Sequence, residues 1–148
     1  MLYFRHVGNV SREEDVLGRI YLLSNHHRDG NRAKSMWLID QQEELNIFRK
    51  MLNEGWYEEF EGWSLYTVNN GNELVGNSKF DPEIRSRRNL KVAMFEDGNK
   101  NSKWHGYPAD YLNEQDRPSS KVFDMWVNNG IISKSSKRRF QRGKDDIK

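Results

Sequence analysis

Five tryptophans, six tyrosines and seven phenylalanines are the main material this chain has for an interior. The constraint is sharp because the rest is polar: 31% of residues are charged against 35% hydrophobic, and mean hydropathy is −1.00. Each aromatic ring buries a large area, so a few of them can anchor a lean core. Disordered chains are poor in such residues, so the charge fraction does not by itself imply disorder. At 148 residues the chain has the length of one domain, enough to bury a core without metal or disulfide staples. It has no cysteine, which excludes disulfides, thiol nucleophiles and Cys-ligated zinc.

The start, MLYFRHVGNV, holds too short an apolar run for a secretory signal, and no stretch approaches 18 apolar residues. A cytoplasmic protein without a membrane span is the expectation. Net charge is only +2, but it is unevenly placed. From Arg117 to Lys148 nine basic residues face three acidic ones, a net +6 that leaves −4 for the rest. Asp40 to Trp63 holds seven acids and two bases. Such asymmetry bears on partners rather than on fold.

Local patterns point to mixed elements. The clearest helix is expected over 41–53: Asp40 caps it with Glu43 three residues on, Leu45, Phe48, Met51 and Leu52 form its stripe, and Gly55 ends it. A second is expected over 118–129, with Pro118 in the first position, an apolar face of Val122, Phe123 and Trp126, and Gly130 closing it against Ile131. Residues 63–68 read as a strand followed by an Asn70-Gly71 turn and a short return, and 89–96 as the best strand, ended by Asp97-Gly98. The stretch 11–23 reads in two ways. Ser11 with Glu14 opens a helix, or RIYLLS is a strand pairing with KSMWLI across a loop that turns at Asp29-Gly30. The order lacks regular βαβ alternation, so the fold class expected is α+β: a small single domain with a short antiparallel sheet, two main amphipathic helices and a basic C-terminal extension. The globular part would span 1–132 and the extension 133–148.

Four stretches carry chemistry. WHGYP, at 104–108, is read as a loop after the best strand, with His105 between two aromatic residues where its proton affinity is tunable. Trp104 and Tyr107 either contact a nucleobase or plug the core. NHHRDG, at 25–30, sets adjacent histidines beside Arg28; adjacent side chains diverge in helix and strand, so no metal site is expected. His26 or His27 with His105, and Arg28 as the cation, permit the acid–base pair of a metal-independent ribonuclease. Glu58, Glu59 and Glu61 form an acidic edge, either merely solvated or able to hold a basic protein. Lys134 to Lys144 holds six basic residues and no acid, interleaved with Phe140. Arginine forks there suit phosphates.

These readings give three expectations. The first is a non-enzymatic nucleic-acid-binding protein, contacting RNA or DNA through Lys137, Arg138, Arg139, Arg142 and Lys144, with Trp104 and Tyr107 as secondary contacts. The second is a protein–protein inhibitor or adaptor of the immunity or antitoxin type, using Glu58, Glu59 and Glu61. The third is the small histidine ribonuclease. No cofactor is expected. Residues 118–144 are also compatible with a helix-turn-helix arrangement.

Overall fold

The structure, a computed structural model, describes residues 10–142. Ten strands are present: β1 Val10–Val16, β2 Arg19–Ser24, β3 Met36–Trp37, β4 Tyr57–Glu58, β5 Glu61–Val68, β6 Gly71–Glu73, β7 Gly76–Asn77, β8 Asn89–Leu90, β9 Val92–Glu96 and β10 Lys103–Pro108. Three α-helices accompany them: α1 Gln41–Glu54, α2 Ser120–Asn128 and α3 Lys134–Gln141. The main sheet runs β1-β2-β10-β9-β5-β4, with β6 hairpinned on β5; β3, β7 and β8 make a small second sheet. The α+β class is as expected, but the main sheet is mixed rather than wholly antiparallel, because β10 runs parallel to β2.

Several local readings change. Residues 11–23 are not a helix: β1 and β2 form a hairpin through Leu17 and Gly18, both at positive φ. Gly18, the weak point of the helical pattern, is what the turn needs. RIYLLS does not pair with KSMWLI; its partners are β1 and β10, while β3 pairs β7. The strand at 89–96 breaks at Lys91, and its two parts join different sheets. WHGYP is not a loop but the body of β10, at the centre of the main sheet. Pro118 lies outside α2, whose cap is the Ser119 hydroxyl, accepting the Val122 N–H.

The helix ends follow the sequence closely. Asp40 accepts the Glu43 N–H at 2.8 Å, and the N–H groups of Gly55 and Trp56 return to Leu52 and Met51. At the end of α2, Gly130 and Ile131 return to Val127 and Trp126 in the same Schellman pattern. α1 covers one face of the sheet through Phe48 and Met51. Gly62 of β5 and Gly106 of β10 both oppose Phe95 of β9. A Cβ at Gly106 would collide with the Phe95 ring and the Tyr21 hydroxyl, and one at Gly62 with the Met51 sulfur. Gly106 therefore makes room for the Phe95 ring, which packs on Phe48 and Tyr21, and Gly62 makes room for Met51 of α1.

From the end of α1, a run of rings passes from Trp56 to Trp126, Phe123, Phe140 and Tyr111, with centroids 4.0–6.0 Å apart. Phe140 belongs to α3 and is fully buried. The expected basic extension is thus, as far as Arg142, a helix seated on the core. The aromatic supply is used as the composition demanded: four of the five tryptophans and four of the seven phenylalanines lie in or beside these two clusters. No helix among the described residues is long and apolar enough to cross a membrane.

Candidate functional site

Side chains alternate along a strand, so the residues flanking Gly62 and Gly106 point away from α1. The register then lines them up across four strands. Glu58 of β4 opposes Glu61 of β5, Glu61 opposes Glu96 of β9, and Glu96 opposes His105 of β10. One step along lies a second row: Trp63, Met94 and Tyr107. A 3-10 turn at Glu114–Asp116 closes over this row. There the Trp63 indole donates to the Asp116 carbonyl at 3.1 Å, and the Tyr107 hydroxyl lies 3.3 Å from the Asp116 carboxylate.

Met94, Tyr107 and the three glutamates of the row line an open cleft of about 1050 Å³, together with Glu59, Asp97, Asp116, Lys100 and Lys121. Asp97 is engaged in its own turn, accepting the N–H groups of Asn101 and Ser102. Lys121 donates to the Tyr57 carbonyl, and the Lys100 ammonium lies 5.4 Å over the Phe60 ring. Among the described residues no lysine or arginine is ion-paired with Glu58, Glu61, Glu96 or Asp116. The nearest counter-group is His105, whose Nε2 lies 3.8 Å from Glu96.

The carboxylates bear the cost. Glu61 is held above the usual glutamate range by partial burial and by the charges of Glu96 and Glu58. Burial and Asp116 do the same to Glu96. Burial raises Asp116, although hydrogen bonds from the Asp110 N–H and the Tyr107 hydroxyl oppose it. Tyr107 is pushed far up by burial and by the carboxylates around it, so its hydroxyl keeps its proton. His105 is pushed down by burial and by His26.

A cavity of about 200 Å³ adjoins the cleft and shares Tyr107 and Asp116 with it. His27 lines this cavity, its ring stacked on Tyr107 with centroids 5.5 Å apart. Its Nδ1 lies 2.9 Å from the Ser35 carbonyl; a carbonyl only accepts, so Nδ1 carries the proton. Burial depresses its basicity too. The fold therefore brings His27 and His105 to one face. Arg28 is elsewhere, on the α1 side, donating to Glu44 at 2.7 Å and to the Ile39 carbonyl at 2.6 Å. The cation assigned to the histidine pair is thus bound up in a buried network with Glu44 and Tyr21.

The basic set is scattered by the fold. Trp104 is only 3% exposed and packs on Phe48, so it presents no ring to a ligand. Tyr107 faces the acidic cleft. Lys137 is ion-paired with Asp124. Arg138, Arg139 and Arg142 lie exposed on α3, and Lys144 lies outside the described residues. Glu58 and Glu61 join the cleft row, and Glu59 occupies the turn between β4 and β5 at positive φ. Sequence reasoning missed Glu96 and Asp116. Glu96 was visible as the charged end of an apolar strand, but only the cross-strand register places it beside Glu61. Among the described residues no three His, Asp or Glu side chains are arranged to hold a metal ion. No protein-family model matches the chain, and neither curated sequences nor solved structures give a significant match.

Proposed function

We propose that the protein is a protein-binding module, of the inhibitor or adaptor kind, whose acidic cleft receives a basic segment of its partner. The observation that carries this is the row Glu58–Glu61–Glu96, three carboxylates directly opposed across neighbouring strands with no lysine or arginine among the described residues paired to them. Like charges so placed destabilise a sheet. A lysine or arginine side chain entering the cleft relieves that repulsion and meets carboxylates that already lie partly out of water. The open shape suits a side chain or short segment. The same field repels phosphate, which weighs against the ribonuclease reading, as does the loss of Arg28 to Glu44.

The test is a titration with an arginine-rich peptide at neutral pH and low salt. Wild type should bind, and Glu61→Gln combined with Glu96→Gln should weaken binding by about tenfold or more. Equal affinity of the two proteins, or no binding by wild type, removes the reading.

A second reading keeps the nucleic-acid expectation in reduced form. It is favoured by Arg138 and Arg142, exposed one turn apart on α3. Replacing Arg138, Arg139 and Arg142 with alanine should then lower RNA or DNA affinity and flatten its salt dependence by roughly one unit of slope per lost phosphate contact. Indistinguishable salt curves for the two proteins sink it.

A further inference from the structure

Two kinds of titratable group lie on the sheet face that carries the cleft. Glu61, Glu96 and Asp116 line the cleft; His105 ends the carboxylate row beside Glu96, and His27, in the adjoining cavity, stacks on Tyr107 one row away. We infer that the cleft is gated by protons: it holds a basic segment near neutral pH and releases it in mildly acidic solution, because its carboxylate row ends at one histidine and adjoins a second. This rests on the reading of the cleft as a site for a basic partner.

The groups facing the row come from every surrounding element. The β4–β5 turn contributes Glu59, and the loop after β9 contributes Asp97 and Lys100. β10 adds Lys103, two residues from His105 and paired with Glu13 of β1. α2 adds Lys121, and the loop after β2 adds His26 beside His27, with Lys34 held by Asp29. The cavity that holds His27 is also lined by Lys79 and by Asp110, which is paired with Arg88. The groups on which the gate turns are the carboxylates and the histidines.

Their directions converge. Burial and mutual repulsion raise Glu61 and Glu96 from the ordinary 4.5. Burial lowers His27 and His105 from the ordinary 6.5. Each set is thereby moved toward the other. Falling pH strips negative charge from the row and adds positive charge at its end. A partner held by charge then loses its attraction and meets repulsion. Histidine is the usual residue for such a switch; here the neighbouring carboxylates reinforce it.

The experiment measures affinity for the same arginine-rich peptide from pH 7.5 to 4.5 at constant ionic strength, with ring and carboxyl resonances of the free protein followed by NMR. Linkage makes one proton per bound peptide equal to about tenfold in affinity per pH unit. Wild type should exceed that slope between pH 6.5 and 4.5, and His27→Gln combined with His105→Gln should fall below it while binding normally at pH 7.5. A shallow slope in wild type, or the same slope in both proteins, overturns the inference while leaving the binding site intact. Absence of binding at pH 7.5 removes the site and the gate with it. The free protein gives a readout that needs no peptide: histidine midpoints at or above 6.5, or glutamate midpoints at or below 4.5, overturn the gate on their own.

Discussion

Gly106 shows why WHGYP is written as it is. Its neighbours Trp104 and Pro108 point to the α1 side, His105 and Tyr107 to the cleft, and Gly106 itself lies under the Phe95 ring. Gly106→Ala should destabilise the fold by about 1–3 kcal/mol, an overpacking cost read from urea unfolding, and pairing it with Phe95→Leu should return part of the loss. Glu96 is constrained in the opposite sense, since its charge is unwelcome. A carboxyl raised in the native state binds protons more readily there than in the unfolded chain. Its contribution is favourable below the unfolded value and is lost as pH rises through the native one. Glu96→Gln should therefore stabilise the protein at pH 7 by ~0.5 kcal/mol, a gain that shrinks to nothing as pH is lowered below 4.5. Thermal melts across pH check it; a gain independent of pH contradicts it. The residue types at these positions were legible in the sequence. Their facing was not, because WHGYP has the Gly and Pro of a turn, and only strand pairing tells which side each residue takes.

Caps and stripes made the helices the most readable elements. Asp40 and Glu43 at the start of α1, and Gly55 and Gly130 past the ends of α1 and α2, do what local chemistry requires. α3 misleads for a physical reason: Ser136 and Phe140, four residues apart, are its buried positions, and such a narrow stripe is hidden among six basic residues. The segment reads as a tail because composition outweighs a single well-placed ring. Phe140→Ala should cost about 3–5 kcal/mol and release α3 from Tyr111 and Phe123, whereas Arg138→Ala should stay within about 0.5 kcal/mol. Circular dichroism and denaturant midpoints distinguish the two. Similar midpoints for both variants would mean that α3 is not part of the core. The strand reading of RIYLLS was one of two open readings, but its hairpin partner is β1, across the Leu17-Gly18 turn, and not KSMWLI.

At the scale of the whole molecule, fold class was accessible from composition and element order, but sheet order was not. Nothing in RIYLLS names its neighbours, and pairing partners up to 83 residues apart, such as Ile20 and Lys103, are chosen by the packing of faces rather than by local propensity. The cleft is a product of that order, since it needs β4, β5, β9 and β10 side by side. The parallel pairing of β2 with β10 has a consequence for how the chain is made. Ile20 and Tyr21 meet Lys103 and Trp104, so one flank of the N-terminal hairpin has no native strand to bond until residue 103 has been added. At ordinary synthesis rates that wait lasts roughly 4–16 s after β2 is complete. During it, the Tyr21 and Leu23 side chains have neither their sheet neighbour nor the finished core around them. A nascent chain halted before β10 should be a client for chaperones that hold extended apolar segments, and one halted just after β10 should not. Ribosome-bound chains stalled at residues 100 and 115, with linkers long enough to clear the exit tunnel, would separate the two by their protease sensitivity.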